Sequence, residues 1–223
     1  MKTRGILAAA LVGVGLAGAM AACDYVRPIE SVCEARLKPT EVRVSTAPVT
    51  WSTDLTLPGA RLTQMAATGT GRVVHGLTHT TMRSQVALAS NGITNPVTRK
   101  HCLRPIIDVQ LAFEPMTVYI SSEHPEGSCQ FGVTMQHELQ HVAVYRSFLA
   151  SAAEDVERKL RDYFGNRIFY FDNEAEAQKR MSEETSQRVG PFVEESMKRV
   201  DEMQAPLDTR EEYDRLERSC AGQ

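Results

Sequence analysis

The chain has 223 residues, of which 42% are hydrophobic and 24% are charged, and its formal net charge is −3. These fractions are typical of a globular protein and exclude a disordered chain, a collagen and a coiled-coil rod. The length favours one domain or two small ones. A slightly acidic chain with 6% aromatic residues lacks the basic surface and the stacking platform of nucleic-acid-binding proteins, so no nucleic acid is expected as a partner.

The first 22 residues have the pattern of a secretory signal peptide. Lys2 and Arg4 precede an uncharged stretch, residues 6–22, that is rich in Ala, Gly, Leu and Val. The sequence Met-Ala-Ala-Cys that ends at Cys23 resembles a bacterial lipobox, with Met where Leu is usual, and this resemblance implies a lipid on Cys23. We therefore expect an exported protein of the periplasm or cell envelope with a single domain over residues 23–223. Simple cleavage and an uncleaved N-terminal anchor remain alternatives.

The cysteine count fits this expectation. The chain contains Cys23, Cys33, Cys102, Cys129 and Cys220. Lipidation of Cys23 leaves four cysteines, enough for two disulfides in an oxidising compartment, and three pairings are possible. Cys129 lies near the predicted start of a long helix, where a disulfide to the sheet or to Cys220 is a better interpretation than thiol catalysis.

The mature chain changes character near residue 130. Before that point, short β-branched segments predict strands. These segments are residues 41–45, 84–89, 106–112 and 116–121. Asn91-Gly92 is typical of a turn. Glu114-Pro115 predicts a sharp break between the last two of these strands.

After residue 130 the sequence predicts helices. Residues 131–164 form one long segment that Gly165-Asn166 would end, and residues 173–189 predict a second helix. Gly190-Pro191 predicts an interruption before a third helix. The predicted apolar face of that third helix comprises Phe192, Val193, Met197, Val200 and Met203. Asp208, followed by Glu211, predicts the N-cap of a last helix. A strand-rich half (residues 40–121) before a helical half (residues 130–220) predicts an α+β fold.

One motif in the long helix carries recognisable chemistry. His137-Glu138-Leu139-Gln140-His141 has the form H-E-x-x-H. Four residues make about one helical turn, so both imidazoles project from one face and can bind one Zn²⁺. Glu138 points about 100° away from His137 and can act as general base on a zinc-activated water without ligating the metal.

His137, Glu138 and His141, together with the strand-then-helix order around them, resemble the zincin metallopeptidases over about 50 residues. The resemblance implies a twisted sheet packed on the H-E-x-x-H helix and an edge strand that aligns a peptide substrate. Residues 116–121 are the candidate for that strand. No third histidine follows at the metzincin spacing, since position 147 is Ser.

The third zinc ligand is open at this stage. Glu174 resembles the glutamate that opens the second helix of many gluzincins and is the preferred candidate. If the first helix is unbroken to Phe164, its end lies about 35 Å beyond His141, and Glu174 must return along an almost straight chain. A helix break at Ser151–Glu154, which resembles a capping box, would shorten that path. The alternatives are Glu176, Glu194 or Glu195, and a His or Asp elsewhere.

Other histidines and several tyrosines offer weaker signals. His75 and His79 repeat the four-residue spacing, and a surface or turn role is the better interpretation. His101 beside Cys102 could form a nucleophile pair, although an exported chain favours an oxidised Cys102. The candidates for polarising a substrate carbonyl are His124, Tyr145, Tyr163 and Tyr170.

The sequence thus predicts a zinc-dependent metallopeptidase of the cell envelope that acts on a peptide or protein substrate. Three alternatives stand beside it. They are a zinc-binding protein without turnover, an amidase of cell-wall peptides, and a structural lipoprotein whose motif is accidental.

Overall fold

The structure is a computed structural model that describes residues 27–66 and 72–221. It confirms the α+β class. The strands are β1 (Glu41–Thr46), β2 (Ser52–Asp54), β3 (Gly76–Thr94), β4 (His101–Ile120) and β5 (Phe169–Phe171). The helices are α1 (Ile29–Arg36), α2 (Gly59–Ala66), α3 (Cys129–Phe164), α4 (Glu174–Lys198), α5 (Val200–Gln204) and α6 (Arg210–Ser219), with a 3₁₀ turn at Ala205–Leu207.

Strand β4 is the central strand of a five-stranded mixed sheet. On one side it pairs with β3 in an antiparallel ladder over almost its whole length. On the other side it pairs in turn with β5, β1 and β2, of which β5 is antiparallel and the other two are parallel. The predicted edge strand at residues 116–121 is therefore wrong, because Thr117 to Tyr119 lie between β2 and β3 and present no free edge.

The long hairpin also corrects two predicted breaks. Asn91 and Gly92 are not a turn, since they pair with Arg104 and Leu103 within the β3–β4 ladder. Glu114-Pro115 does not separate two strands. Apart from Cys102 and Ala112, the buried residues of β4 are odd-numbered up to Phe113 and even-numbered from Met116. The ladder shifts register opposite this point, between Thr80 and Met82. Strand β4 continues through this irregularity, and the side chains that face the core change from odd-numbered to even-numbered positions.

Helix α3 supplies the other side of the main core. Its buried apolar residues are Val142, Phe148, Leu149, Ala152, Val156, Leu160 and Phe164. From Leu149 onward they recur at spacings of three and four and so form one stripe, which lies in the same core cluster as Ile107, Val109 and Leu111 of β4. The helix is unbroken past Ser151 because this stripe continues through Ala152 and Val156. It ends with Gly165 as C-cap.

Helix α4 returns antiparallel to α3 and is one helix, not two. Gly190 and Pro191 are exposed within it, while Val189 and Val193 are buried on either side. Pro191 removes one backbone hydrogen bond, and burial of the flanking valines holds the helix together. Of the predicted apolar face, Val193, Met197 and Val200 are buried and Phe192 packs against the core, whereas Met203 is 45% exposed.

A buried polar contact fixes α4 to α3. The Asp155 carboxylate accepts a hydrogen bond from the Ser196 hydroxyl (2.7 Å) and forms an ion pair with Lys159 (3.1 Å). Burial alone would raise the pKa of Asp155, but the hydrogen bonds from Ser196 and Lys159 outweigh it and lower the pKa. The ionised carboxylate therefore stabilises the packing of the two helices.

Two disulfides join distant parts of the chain. Cys33–Cys102 ties α1 to the start of β4, and Cys129–Cys220 ties the start of α3 to the end of α6. Cys102 is thus oxidised rather than nucleophilic. Such bonds are compatible with an exported protein. Within the described residues, no helix combines the length and apolar character needed to cross a membrane. The predicted signal peptide and Cys23 lie outside the described residues.

Candidate metal centre

The two histidines of the motif face each other on α3. His137 and His141 are buried, and their Nε2 atoms lie 3.2 Å apart. Their rings are nearly perpendicular, at 81°. This is the arrangement that the four-residue spacing predicts, since one turn of helix places both imidazoles on one face.

An aspartate from the C-terminal segment completes the group. Asp208 follows the 3₁₀ turn, and its Oδ1 lies 3.4 Å from His137 Nε2 and 3.2 Å from His141 Nε2. Among the described residues, these three are the side chains placed to hold one metal ion. The side chain of Asp208 is 40% exposed, so solvent reaches the group at Asp208, whereas both histidines are buried.

The spacing of the three atoms fits a zinc ion. Zn–N and Zn–O bonds of 2.0–2.1 Å in tetrahedral geometry place neighbouring ligand atoms about 3.3–3.4 Å apart. The three observed separations are 3.2, 3.2 and 3.4 Å. Two imidazoles and one carboxylate are also the ligand types that zinc takes at catalytic sites, where the fourth position is left open.

A glutamine sets the tautomer of one histidine. His141 Nδ1 lies 2.7 Å from Gln204 Oε1, and because an amide oxygen can only accept, Nδ1 carries the proton. The lone pair of Nε2 is then free to bind a metal. His137 Nδ1 has a weaker neighbour, since Glu212 Oε1 lies 3.6 Å away and no hydrogen bond forms.

Glu138 is buried between α3 and β3. Its Oε2 accepts a hydrogen bond from the Thr78 hydroxyl at 2.8 Å. Strand β3 can approach this closely because residue 76 is glycine, where a Cβ would lie 2.4 Å from Glu138 Oε1. The carboxylate is thereby held beside the histidine pair, on a different side of the helix from the two imidazoles.

Burial and the contacts among these side chains shift the pKa values of Glu138, Asp208 and His141. Burial raises the pKa of Glu138. Burial opposes the charged form of Asp208 as well, but hydrogen bonds with His137 and His141 outweigh it and lower its pKa. Burial likewise opposes protonation of His141, and its contact with Asp208 reverses the effect and raises the pKa. Asp208 is therefore an anion, which is the form in which a carboxylate can bind a metal ion.

Tyr213 was not among the tyrosines that the sequence suggested. Its hydroxyl donates to Asp208 Oδ1 at 2.9 Å, and its ring centroid lies 6.0 Å from that of His137. Burial raises the pKa of Tyr213, so the hydroxyl keeps its proton. Of the suggested tyrosines, Tyr163 bonds to Glu184 and Tyr170 is exposed near α1. Tyr145 packs on Phe113, and burial together with the nearby charges of Asp201 and Asp208 raises its pKa.

Helix α6 covers the site on the side of Glu138. A cavity of about 30 Å³ lies there, room for about one water molecule. Its walls include His75, Gly76, His137, Glu138, Tyr213 and Leu216. Arg72 holds α6 in place through ion pairs with Asp214 (2.6 Å) and Glu217 (3.6 Å).

The structure places the preferred third ligand elsewhere. Glu174 begins α4 and lines a cleft with His101, at the start of β4, whereas Thr78 pairs with Val118 near its end. The 17 residues of extended strand from His101 to Val118 separate these positions by about 56 Å. Because α3 is unbroken, it carries the chain away from His141, and Glu174 lies at the opposite end of the sheet from the two histidines. The other suggested glutamates are also engaged elsewhere: Glu176 with the Asp172 amide, Glu194 with Lys198, and Glu195 with Lys159.

The other four histidines lie outside the group formed by His137, His141 and Asp208. His75 Nδ1 and His124 Nε2 lie 3.0 Å apart, and His75 faces the cavity beside Glu138. Burial and the neighbouring His75 lower the pKa of His124. His79 is exposed on β3. His101 is buried and hydrogen-bonds through Nδ1 to Thr94 (2.8 Å).

Asp208 was interpreted from the sequence as a helix N-cap, and this is wrong. The N-cap of α6 is Thr209, whose hydroxyl accepts from the Glu212 amide. A threonine directly before the charged helix, with Glu212 three residues later, was the available signal. It would have left the Asp208 carboxylate free for another role. No local pattern marks Gln204, Tyr213 or Thr78.

Comparison with known proteins gives no relative. No protein-family model matches the chain, and neither a curated protein nor a solved structure does.

Proposed function

We propose that the protein is a zinc-dependent hydrolase of the bacterial cell envelope that cleaves peptide or amide bonds. The observation that carries the proposal is the convergence of His137, His141 and Asp208 on one centre, with the buried Glu138 beside it. Two imidazoles and one carboxylate support a catalytic rather than a purely structural zinc, because structural sites take four protein ligands.

Each side chain has a role in this proposal. Bound zinc would supply Lewis acidity that polarises a water and a substrate carbonyl. Glu138 accepts a proton as general base, and Thr78 fixes the orientation of its carboxylate. Gln204 orients His141, and the Tyr213 hydroxyl orients Asp208. These partners reduce the freedom of the ligands before metal binds.

A second candidate function is zinc binding without turnover. The small size of the cavity beside Glu138 and the cover provided by α6 favour it, because a polypeptide substrate needs a cleft. The two functions differ in the role of Glu138, which is needed for hydrolysis and not for holding the metal.

We propose that the protein is located in the cell envelope, because residues 1–22 resemble a signal peptide and the sequence that ends at Cys23 resembles a lipobox. The two disulfides fit an oxidising compartment. Metabolic labelling with a palmitate analogue tests the lipid anchor: label on the parent that is lost in Cys23→Ala supports it, and no label on the parent contradicts it.

The experiment on activity compares Glu138→Gln with the parent protein. Zinc-loaded samples are incubated with a proteome-derived peptide mixture and, separately, with cell-wall muropeptides, and products are identified by mass spectrometry. Loss of a general base lowers turnover by about 10²–10⁴-fold while zinc content is unchanged. Glu154→Gln, an exposed position of the same helix, is the matched control and keeps full activity.

Two results would contradict hydrolysis. One is a zinc-loaded parent with no product from either mixture, which supports the second candidate function. The other is equal turnover by Glu138→Gln and the parent, which would mean that a contaminant is responsible.

A further inference from the structure

The metal centre is completed by one segment of the chain that follows α4. Among the described residues, every hydrogen bond or ion pair that reaches the histidine side chains from outside α3 comes from residues 204–212. Tyr213, on α6, then bonds to Asp208. Helix α3 itself supplies the two histidines and Glu138. The centre therefore stays assembled while this segment remains packed against α3.

Helix α6 has few non-covalent attachments that could hold the segment in place. Leu216 is its one buried residue. Arg72 forms ion pairs with two of its acidic side chains, but the Arg72 side chain is itself 33% exposed, and ion pairs near the surface contribute little. A helix of 10 residues is also too short to be stable on its own. The disulfide from Cys220 to Cys129 is therefore the strongest link between α6 and the start of α3.

The two disulfides of the protein differ in access to solvent. Cys33 and Cys102 are both 0% exposed, within an apolar cluster at α1. Cys129 and Cys220 are both partly exposed. Thiol–disulfide exchange begins with attack of a thiolate on a disulfide sulfur, so its rate depends on access to that sulfur. A dithiol in solution therefore reaches the bond that holds α6 far more readily than the buried one.

We propose that Cys129–Cys220 is a redox switch for the metal centre, which a dithiol of the cell envelope opens by reduction. One thiolate of the dithiol attacks a sulfur of the bond and forms a mixed disulfide, and the second thiol then displaces the protein sulfur. Two electrons and two protons pass to the protein, which gains two thiols, and the dithiol leaves as a disulfide. Helix α6 then detaches, and the protein loses affinity for zinc. This inference rests on the metal centre of the proposed function and is independent of catalysis.

The coupling between the disulfide and the metal is reciprocal. If reduction weakens zinc binding by a given factor, saturation with zinc must shift the dithiol–disulfide equilibrium of the protein towards the oxidised form by the same factor. The switch therefore has two measurable sides, the zinc affinity of each redox form and the reducibility of the bond with and without metal.

The test begins with mild reduction by dithiothreitol without denaturant, followed by anaerobic desalting. After alkylation with iodoacetamide, peptide mass spectrometry should find label on Cys129 and Cys220 and none on Cys33 and Cys102. Competition with a chromophoric chelator, on samples that are not alkylated, then compares zinc affinities. The reduced parent should bind zinc at least tenfold more weakly than the oxidised parent.

Cys129→Ser/Cys220→Ser is the matched control, with its fold checked by circular dichroism. It keeps the buried disulfide, so treatment with dithiothreitol should leave its zinc affinity unchanged. It should also bind zinc within threefold of the reduced parent, since it lacks the link to α6 and has no thiols at these positions that could act as ligands. A reduced parent that binds zinc much more tightly than this variant overturns the proposal, because the freed thiols would then replace the lost contacts.

Two further readouts do not depend on the chelator. In zinc-free protein, the amides of α6 should exchange with solvent at least tenfold faster after reduction. In dithiothreitol buffers at a fixed free zinc concentration, saturating zinc should shift the midpoint of reduction by the factor found for the affinities. Equal zinc affinity of the oxidised and reduced parent overturns this inference alone, and so does equal labelling of all four cysteines. An oxidised parent that binds no zinc overturns the metal centre as well, so the two failures are distinguishable.

Discussion

Replacement of Asp208 by alanine tests whether Asp208, which the structure places beside His137 and His141, binds the metal in place of Glu174, which the sequence favours. Asp208 supplies one of three ligand atoms that lie 3.2–3.4 Å apart. Zinc binding by four-ligand protein sites releases about 10–16 kcal/mol, or roughly 2.5–4 kcal/mol per ligand. Asp208→Ala should therefore weaken zinc binding by about 10²–10³-fold.

Competition with a chromophoric zinc chelator measures this change. Glu174→Ala is the matched control, because Glu174 is the acid that the sequence favoured and the structure places it at the other end of the sheet beside His101. The control should bind zinc with the affinity of the parent. The reasoning is refuted if Asp208→Ala binds zinc within threefold of the parent, or if Glu174→Ala weakens binding as strongly as Asp208→Ala.

Three further perturbations test metal binding, the disulfide that joins α3 to α6, and the packing of α4 on α3. At free zinc 100-fold above the dissociation constant, binding adds about 2.7 kcal/mol of stability, so a chelator should lower Tm by about 5–11 °C in calorimetry; an unchanged Tm contradicts a bound metal. Loss of the disulfide in Cys129→Ser/Cys220→Ser should cost about 4.6 kcal/mol in urea unfolding by the chain-entropy relation for its sequence separation of 91. It should also weaken zinc binding, since this disulfide anchors the segment that carries the aspartate ligand. Cys33→Ser/Cys102→Ser should lose similar stability and no zinc affinity, and equal loss of affinity in both would contradict this role. Because the folded-state pKa of Asp155 is lowered, its contribution to stability is present above pH about 4 and is lost as pH falls through the folded pKa. Asp155→Asn should cost about 1–2 kcal/mol of unfolding free energy at pH 7 and progressively less below pH 4, and a pH-independent cost would contradict the ionised contact.

The histidine pair could be predicted because it depends on one helix. A spacing of four residues, about one helical turn, places His137 and His141 on one face wherever α3 packs, so the spacing alone was sufficient. The α+β class was predictable for a similar reason, since alternation and helical spacing are local patterns.

The position of Asp208 beside the two histidines could not be predicted, because it depends on how far the chain travels before it returns. From His141 to Phe164 helix α3 rises about 35 Å, and the 25 residues of α4 rise about 37 Å in the opposite direction. Asp208, rather than Glu174, is therefore the acid that arrives beside the histidines. The length of α4 was itself hidden, since Gly190-Pro191 is typical of a helix boundary and only burial of Val189 and Val193 keeps the helix continuous.

The turn predicted at Asn91-Gly92 failed for a related reason. An Asn-Gly pair favours a tight turn locally, but here it lies in a ladder that Leu103 and Arg104 continue on the partner strand. Gly92 has a packing role instead, because a Cβ there would lie 2.7 Å from the ring of His101. Long-range pairing thus outweighed the local preference.

Metal content is the measurement that tests the central claim most directly. Elemental mass spectrometry of the natively purified protein is compared with a His137→Ala/His141→Ala variant, with both samples shown to be folded by circular dichroism. We expect about one zinc per chain in the parent and none in the variant. A parent that holds no zinc after incubation with the metal, or a variant that still retains it, would mean that these histidines do not form a zinc site.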